Sequence, residues 1–350
     1  KMFFKNFKIR LLNFFLIVFI LSSFFSCTLT KNTNAREVST PLSFNSSVEK
    51  GTLSNGMQFF VQKNSEPKNR ICLRLVVKAG SCMEEDDQLG VAHFVEHMAF
   101  NGTENFKKND LVNYFESIGM KFGPEVNAYT TFEETIYMLE IPADDPEMLR
   151  KAMLVLHDWA SAISFEQDEL EKERSVIVEE WRMRMQGLSG RITDQVIPVV
   201  LGNSQFENRL PIGDMQIIKN ISRERVVDFY KKWYRPDNMS IILVGDIDTS
   251  IMKDAIKSAM QSIKAPTDKF VRPSFPIPKK EDSSITLIRD KELPYPVIEI
   301  YNQTTDEPST TEYHLNEYFK TLIFTGIMNE RLKTITTGSD SPWIVAQVNI

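Results

Sequence analysis

Cysteine is scarce in this sequence, with three in 350 residues at positions 27, 72 and 82. So few cannot staple a disulfide scaffold, and the absence of any Cys-x-x-Cys pair argues against a thiolate metal site. An excess of positive charge is also missing. There are 41 Lys and Arg against 47 Asp and Glu, for a net charge of −6. No basic stripe of the kind that grips nucleic acid is present, so no nucleic-acid partner is expected. No apolar run reaches the roughly 20 residues that a membrane-spanning helix needs. Internal repeats and low-complexity tracts are absent as well. What is there is a 42% hydrophobic chain, ample for a packed core and long enough for two domains, or one and part of another.

The longest apolar run, residues 11–25, follows a basic stretch carrying Lys1, Lys5, Lys8 and Arg10. That is the pattern of a secretory signal, so residues 1–26 read as a signal peptide. The run stops at Ser26-Cys27, and a small residue before Cys resembles a bacterial lipoprotein processing site. Lipidation at Cys27 is expected, with simple secretion or an uncleaved anchor as the alternatives. Residues 27–46 read as a polar tether. The implied location is the bacterial cell envelope, periplasmic or membrane-anchored. Cys72 and Cys82 read as two thiols, with a disulfide as the alternative in an oxidising compartment.

Downstream, residues 51–64 predict a hairpin turning at Asn55-Gly56, and residues 70–79 a strand. Helical spacing runs over 89–99 and stops near Asn101-Gly102. Further helices are predicted at 110–118, 146–164, 166–186, 222–233 and 249–263. Strand-like pieces fall in 127–142 and at 239–244. Residues 264–284 hold four prolines and many charges and read as a linker. Beyond it, residues 284–290, 296–303 and 343–350 read as strands and 310–335 as a long helix. Strands and helices without regular alternation give an α+β fold. The expected organisation is a domain at 47–263, a linker at 264–284 and the start of a second, incomplete domain at 285–350. The chain therefore reads as the N-terminal fragment of a longer protein.

The sharpest chemical signal is His93-Phe94-Val95-Glu96-His97, which holds two of the four histidines. Residues four apart share a helix face, so both imidazoles can reach one ion. Glu96 sits at the edge of that face, where a carboxylate can take a proton from a zinc-activated water without being a ligand. A zinc site needs a third ligand, and the acidic stretch at 169–180 offers Glu169, Glu171, Glu173, Glu179 and Glu180. At about 100° per residue, Glu173 and Glu180 share a face while Glu179 points away. Val176 and Ile177 lie near the same stripe, so these carboxylates border a core face. Otherwise the helix reads as a solvated charged face.

At these residues the sequence resembles the pitrilysin–insulysin family of inverzincin metallopeptidases. Gly90 to Thr103 is similar to the family's zinc-helix signature, and Glu173 to Trp181 to its third-ligand helix. Asn127-Ala128-Tyr129-Thr130 with Thr135-Ile136-Tyr137 resembles its active-site strand. Tyr234 to Asn238, leading into Val244-Gly245-Asp246, resembles the close of its first domain. Asn329-Glu330-Arg331-Leu332 matches in the second. The resemblance implies tandem domains, each an antiparallel sheet packed with helices, the second truncated here. It implies one Zn2+ per chain held by His93, His97 and Glu180, with Glu96 as general base and Glu173 orienting His97. It implies that Asn127 and Ala128 bind extended peptide substrates by strand addition. The spacing from His97 to Glu180 is longer than in the archetypes, which implies an insertion. Family enzymes also need a second half, from the same chain or a partner chain, that supplies an Arg and a Tyr to grip substrate.

The function this implies is zinc-dependent hydrolysis of peptide bonds. The alternative is a non-catalytic zinc-binding or assembly subunit of the same family. His157 reads as a core or boundary histidine and His314 as a surface one. Phe94, Met98 and Phe100 read as core packing.

Overall fold

The computed structural model describes residues 40–108, 110, 113, 114, 123, 125–280, 282–303, 310–337 and 340–349. The expected signal peptide, Cys27 and most of the tether lie outside the described residues, as does most of the helix expected at 110–118. Contacts divide the chain into two units. One is residues 45–304; residues 40–44 and 310–349 belong to the other.

The first unit is built on a six-stranded sheet in the order β1-β2-β6-β3-β5-β4. The strands are β1 (Glu49–Thr52), β2 (Gln58–Lys63), β3 (Arg70–Val77), β4 (Val126–Thr130), β5 (Thr135–Pro142) and β6 (Met239–Gly245). Only the β2–β6 pair is parallel. The expected hairpin is β1–β2, turning through Gly56 at φ +95°. In β3 the pattern RICLRLVV alternates strictly, and Ile71, Leu73, Leu75 and Val77 are all buried. Register carries that face across the sheet: Leu73 lies opposite Leu139 and Leu243, and Leu75 opposite Tyr137 and Ile241. A slip of one residue would turn every one of these side chains to the other face, which fixes the pairing.

Helices cover the buried face. They are α1 (Val91–Met98), α2 (Pro146–Ser161), α3 (Gln167–Met185), α4 (Leu188–Leu201), α5 (Met215–Asn220), α6 (Arg223–Trp233) and α7 (Thr249–Met260). Local chemistry starts several of them. The Asp145 carboxylate accepts from the Glu147 and Met148 N–H groups with Pro146 in the first turn of α2. Ser222 accepts from Arg225 N–H at the start of α6. Trp159, Leu156 and Met153 of α2 and Met252, Ile256 and Met260 of α7 join the core. Helix α1 is almost wholly buried and packs on α3, α6 and β4.

Two helices were not expected from sequence. Gly187, Gly190 and Pro198 punctuate α4, and α5 is only six residues long. Three expected strands are corrected. Residues 284–290, 296–303 and 343–349 form no strand pairing among the described residues. Ile285, Ile298 and Ile300 are highly exposed. An alternating apolar pattern makes a strand only where a neighbour supplies its ladder of hydrogen bonds, and no described residue does so here. Residues 264–280 and 282–303 instead run without regular structure, joined to α4 by Arg191, which pairs with Asp290 at 2.7 Å and Glu292 at 2.9 Å.

In the second unit the described residues include one long helix, α8 (Glu312–Thr336), capped by Thr311. None of its residues is buried. No helix among the described residues is long and apolar enough to cross a membrane.

Candidate metal centre

Helix α1 is held at both ends. At its start, Glu84 reaches forward from the preceding loop. Its two carboxylate oxygens accept from Gly90 N–H at 2.9 Å and Ala92 N–H at 2.8 Å. These are orphan donors of the first turn, and a carboxylate there also faces the positive end of the helix dipole. Burial nevertheless pushes Glu84 up to about 8, against those donors. Gly90 adopts φ +98° and lies against Gly213 at φ +77°. A Cβ on Gly213 would come within 2.3 Å of Gly90 Cα, so neither backbone tolerates a side chain. At the other end, Trp159 Nε1 donates to the Ala99 carbonyl at 2.9 Å. Asp158, fully buried, accepts from Thr103 Oγ1 at 2.6 Å and from Asn105 N and Nδ2 at 3.0 and 2.9 Å. Helix α2 thereby fixes the loop by which α1 exits.

The helical spacing puts His93 and His97 on one face, with their rings at 78° to each other. Their Nε2 atoms are 3.1 Å apart. Glu180 of α3 brings Oε2 to 3.4 Å from His97 Nε2 and 3.7 Å from His93 Nε2. Among the described residues this is the one group of His, Cys, Asp or Glu side chains gathered closely enough to hold a metal ion. Three acceptor atoms this close together repel one another unless a proton or a metal cation sits among them. Without a metal, the titration shifts are those of a shared proton. Burial depresses His93, whereas His97, though burial opposes it, is pushed up to about 9 by the carboxylates of Glu173 and Glu180. The hydrogen bond from His97 holds Glu180 well below the usual carboxylate range. Four-coordinate zinc with bonds of about 2.0–2.1 Å needs ligand atoms roughly 3.3 Å apart, and the triangle here has sides of 3.1, 3.4 and 3.7 Å. The donor set fits zinc.

The remaining groups orient this triangle. Glu173, two helical turns before Glu180, accepts from His97 Nδ1 at 2.7 Å. Asn101 donates its Nδ2 to Glu173 Oε2 at 2.7 Å and to the His97 carbonyl at 3.1 Å. Arg184 pairs with Glu180 Oε1 at 2.6 Å, leaving Oε2 to face the imidazoles. Glu96 is buried and accepts from Thr130 Oγ1 at 2.6 Å through Oε2. Burial pushes its carboxyl up and the Thr130 hydrogen bond opposes that shift.

The structure thus brings together His93, His97, Glu180, Glu173 and Glu96. Glu179 points outward and pairs with Arg182. Of the two apolar residues expected beside the carboxylates, Ile177 is buried but Val176 is exposed, so only one side of that stripe borders the core. Asn127 and Ala128 lie on β4, the edge strand, with Asn127 Oδ1 accepting from Ala128 N–H at 2.9 Å. His157 lies at the boundary, 3.2 Å from Asp158. Phe94 and Met98 are core, and Phe100 packs edge-on against Trp159 with centroids 5.1 Å apart. Cys72 and Cys82 are both free, and burial pushes Cys82 up to about 12, which makes it a poor nucleophile.

Four residues of the site were missed from sequence: Glu84, Asn101, Thr130 and Arg184. Arg184 was legible, because it stands four residues after Glu180 on one helix. Thr130 was legible in part, since strand alternation puts it on the same side as Ala128. Asn101 and Glu84 act through loops, which carry no periodicity.

Comparisons with known proteins fall in line with this geometry. A family model described as insulinase (peptidase family M16) matches residues 59–210. A second, described as peptidase M16 inactive domain, matches residues 220–338. The probable zinc protease PqqL of Haemophilus influenzae is 40% identical over 324 residues, covering 91% of this chain and 34% of its own length. A zinc protease PQQL-like protein of Arabidopsis thaliana is 36% identical over 299 residues, covering 85% of this chain and 31% of its own. The crystal structure of the first half of the periplasmic protease PqqL from Escherichia coli superposes with a TM-score of 0.75 at 32% identity. That match covers 84% of this chain and 63% of the other. The chain spans about a third of the length of the curated relatives it matches.

Proposed function

This chain belongs to the insulinase family of peptidases, family M16, and from that membership we propose that it carries the catalytic centre of a zinc endopeptidase. The observation that carries the reading is the triangle of His93 Nε2, His97 Nε2 and Glu180 Oε2, whose sides match the ligand spacing of one zinc ion. These three residues would hold it. Zinc, when bound, supplies Lewis acidity that polarises a peptide carbonyl and makes water a stronger acid. Glu173 and Asn101 keep His97 turned with Nε2 inward. Arg184 keeps Glu180 from rotating. Glu96 accepts a proton from the attacking water at Oε1 and returns it to the leaving amine.

Substrate would bind as an added strand on β4, whose outer edge pairs with no described strand. Asn127 and Ala128 lie on that edge, and a peptide backbone would take over the contact they now make with each other. Extended peptides fit this mode better than folded proteins. We place the peptidase domain at 47–263, the linker at 264–284 and the start of a second domain at 285–350. Turnover would need a further half, in the same chain or a partner, as the threefold greater length of the relatives supports. An envelope location with a lipid at Cys27 is in keeping with the basic, apolar N-terminus, and the Escherichia coli relative is described as periplasmic.

The description of the second matched region as an inactive domain favours a non-catalytic role for residues 220–338. The ligand cluster lies wholly outside it. The test is zinc content and peptide hydrolysis of the full-length gene product, wild type against Glu96→Gln. One zinc in both, with hydrolysis only in wild type, is expected. Hydrolysis that survives the substitution would remove Glu96 from its role, and absence of zinc in wild type would end the peptidase reading.

A further inference from the structure

Behind Glu96 stands a row of hydroxyl groups that reaches the floor of the core. Thr130 Oγ1 donates to Glu96 Oε2 at 2.6 Å. Thr135 Oγ1 lies 3.4 Å behind Thr130 Oγ1 and is itself fixed, donating to the Ala79 carbonyl at 2.9 Å. Tyr234 lies close enough to Thr135 to feel it electrostatically, and the Tyr234 and Tyr137 hydroxyls meet at 2.7 Å. Thr135, Tyr137 and Tyr234 are all buried.

The proton count gives this row a direction. Thr135 spends its single hydroxyl proton on Ala79, so it has none to offer Thr130. Thr130 also has one proton, and the carboxylate is its short, charged acceptor. Thr130 and Thr135 are the last opposed pair of the β4–β5 ladder, next to the turn, so Thr130 is held by a rigid neighbour. The Glu96 carboxylate has no other hydrogen-bond partner among the described residues. Its Oε1 is therefore presented by one contact, and that contact comes from β4.

We infer that Thr130 is the positioning residue of Glu96: its hydroxyl fixes Oε2 so that Oε1 meets the water in one orientation. The inference rests on the zinc peptidase reading and adds to it a link from β4, the proposed substrate strand, to the base. A carboxylate freed from this contact still exists and still has its charge, but samples several torsions, and misplacement of a catalytic group by about 1 Å costs on the order of 100-fold in rate. No hydrogen bond joins Thr130 to His93, His97 or Glu180 among the described residues, so metal binding is expected to be unaffected.

The experiment uses the full-length gene product in four forms: wild type, Thr130→Val, Thr130→Ser and Thr130→Val combined with Glu96→Gln. Valine keeps the branching and strand preference of threonine and replaces the hydroxyl with a methyl that cannot donate. Zinc affinity, KM and kcat on a fluorogenic peptide, and the zinc-free crystal structure are measured. Expected are wild-type zinc affinity throughout, a fall in kcat of about 10- to 100-fold in Thr130→Val with KM within about twofold, and recovery of most of kcat in Thr130→Ser. In zinc-free crystals of Thr130→Val, Glu96 leaves its wild-type torsion. The residual rate of Glu96→Gln is lowered no further by Thr130→Val. Wild-type kcat in Thr130→Val, failure of serine to rescue, an unmoved Glu96, or a further loss on top of Glu96→Gln would each overturn the assignment. A wild type without zinc, or full hydrolysis in Glu96→Gln, would overturn the peptidase reading itself and this assignment with it.

Discussion

The Glu173 carboxylate accepts from His97 Nδ1 at 2.7 Å, so the ring's other nitrogen is the one that faces His93 and Glu180. A carboxylate in that place fixes the ring's orientation and raises its basicity as a ligand. Glu173→Ala is expected to weaken zinc binding about 10- to 100-fold while leaving the fold intact. Competition against a chelator of known affinity checks it. Unchanged affinity would mean that α1 alone orients the ring.

Glu84 gives the fold a pH dependence of definite sign. Burial, against the hydrogen bonds from Gly90 and Ala92, raises its pKa from 4.5 to about 8. A carboxyl raised on folding contributes stability that is complete below about pH 4.5 and is lost as pH rises through about 8. The loss is on the order of a few kcal/mol across that window. The melting temperature of the zinc-free protein is therefore expected to fall between pH 5 and 8 more steeply than that of Glu84→Gln. The glutamine variant should start lower, since its amide faces a backbone N–H, and then stay flatter. Parallel slopes in the two proteins would contradict the assignment.

Gly213 and Gly90 meet backbone to backbone where α1 begins. Gly213→Ala puts a Cβ 2.3 Å from Gly90 Cα, at a residue already in left-handed conformation. A loss of about 3 kcal/mol or more is expected in urea unfolding, with zinc affinity falling as α1 shifts. A loss below about 1 kcal/mol would show that this junction yields.

Asp158 is fully buried and holds Thr103 and Asn105 in the loop after α1. Asp158→Ala strands those donors, and a cost of about 3 kcal/mol is expected in the same unfolding assay. A cost near zero would mean that water replaces the carboxylate without strain.

Much of this was legible in the sequence because it rests on periodicity. The His93–His97 spacing, the shared face of Glu173 and Glu180, and the alternation in β3 are local facts that survive folding. The parts that were not legible depend on distant partners. Glu84 caps a helix that starts seven residues later, Asn101 hangs from a loop, and Thr130 meets Glu96 only because β4 packs on α1. The apolar alternation at 284–290 and 296–303 points the other way: the pattern of a strand is present, and a partner among the described residues is not.

The most direct test is an anomalous difference map at the zinc absorption edge from crystals of the zinc-loaded protein. The account predicts a single peak about 2.0–2.2 Å from His93 Nε2, His97 Nε2 and a Glu180 oxygen, with Glu96 outside bonding distance. A peak elsewhere, or none with zinc in excess, would contradict it.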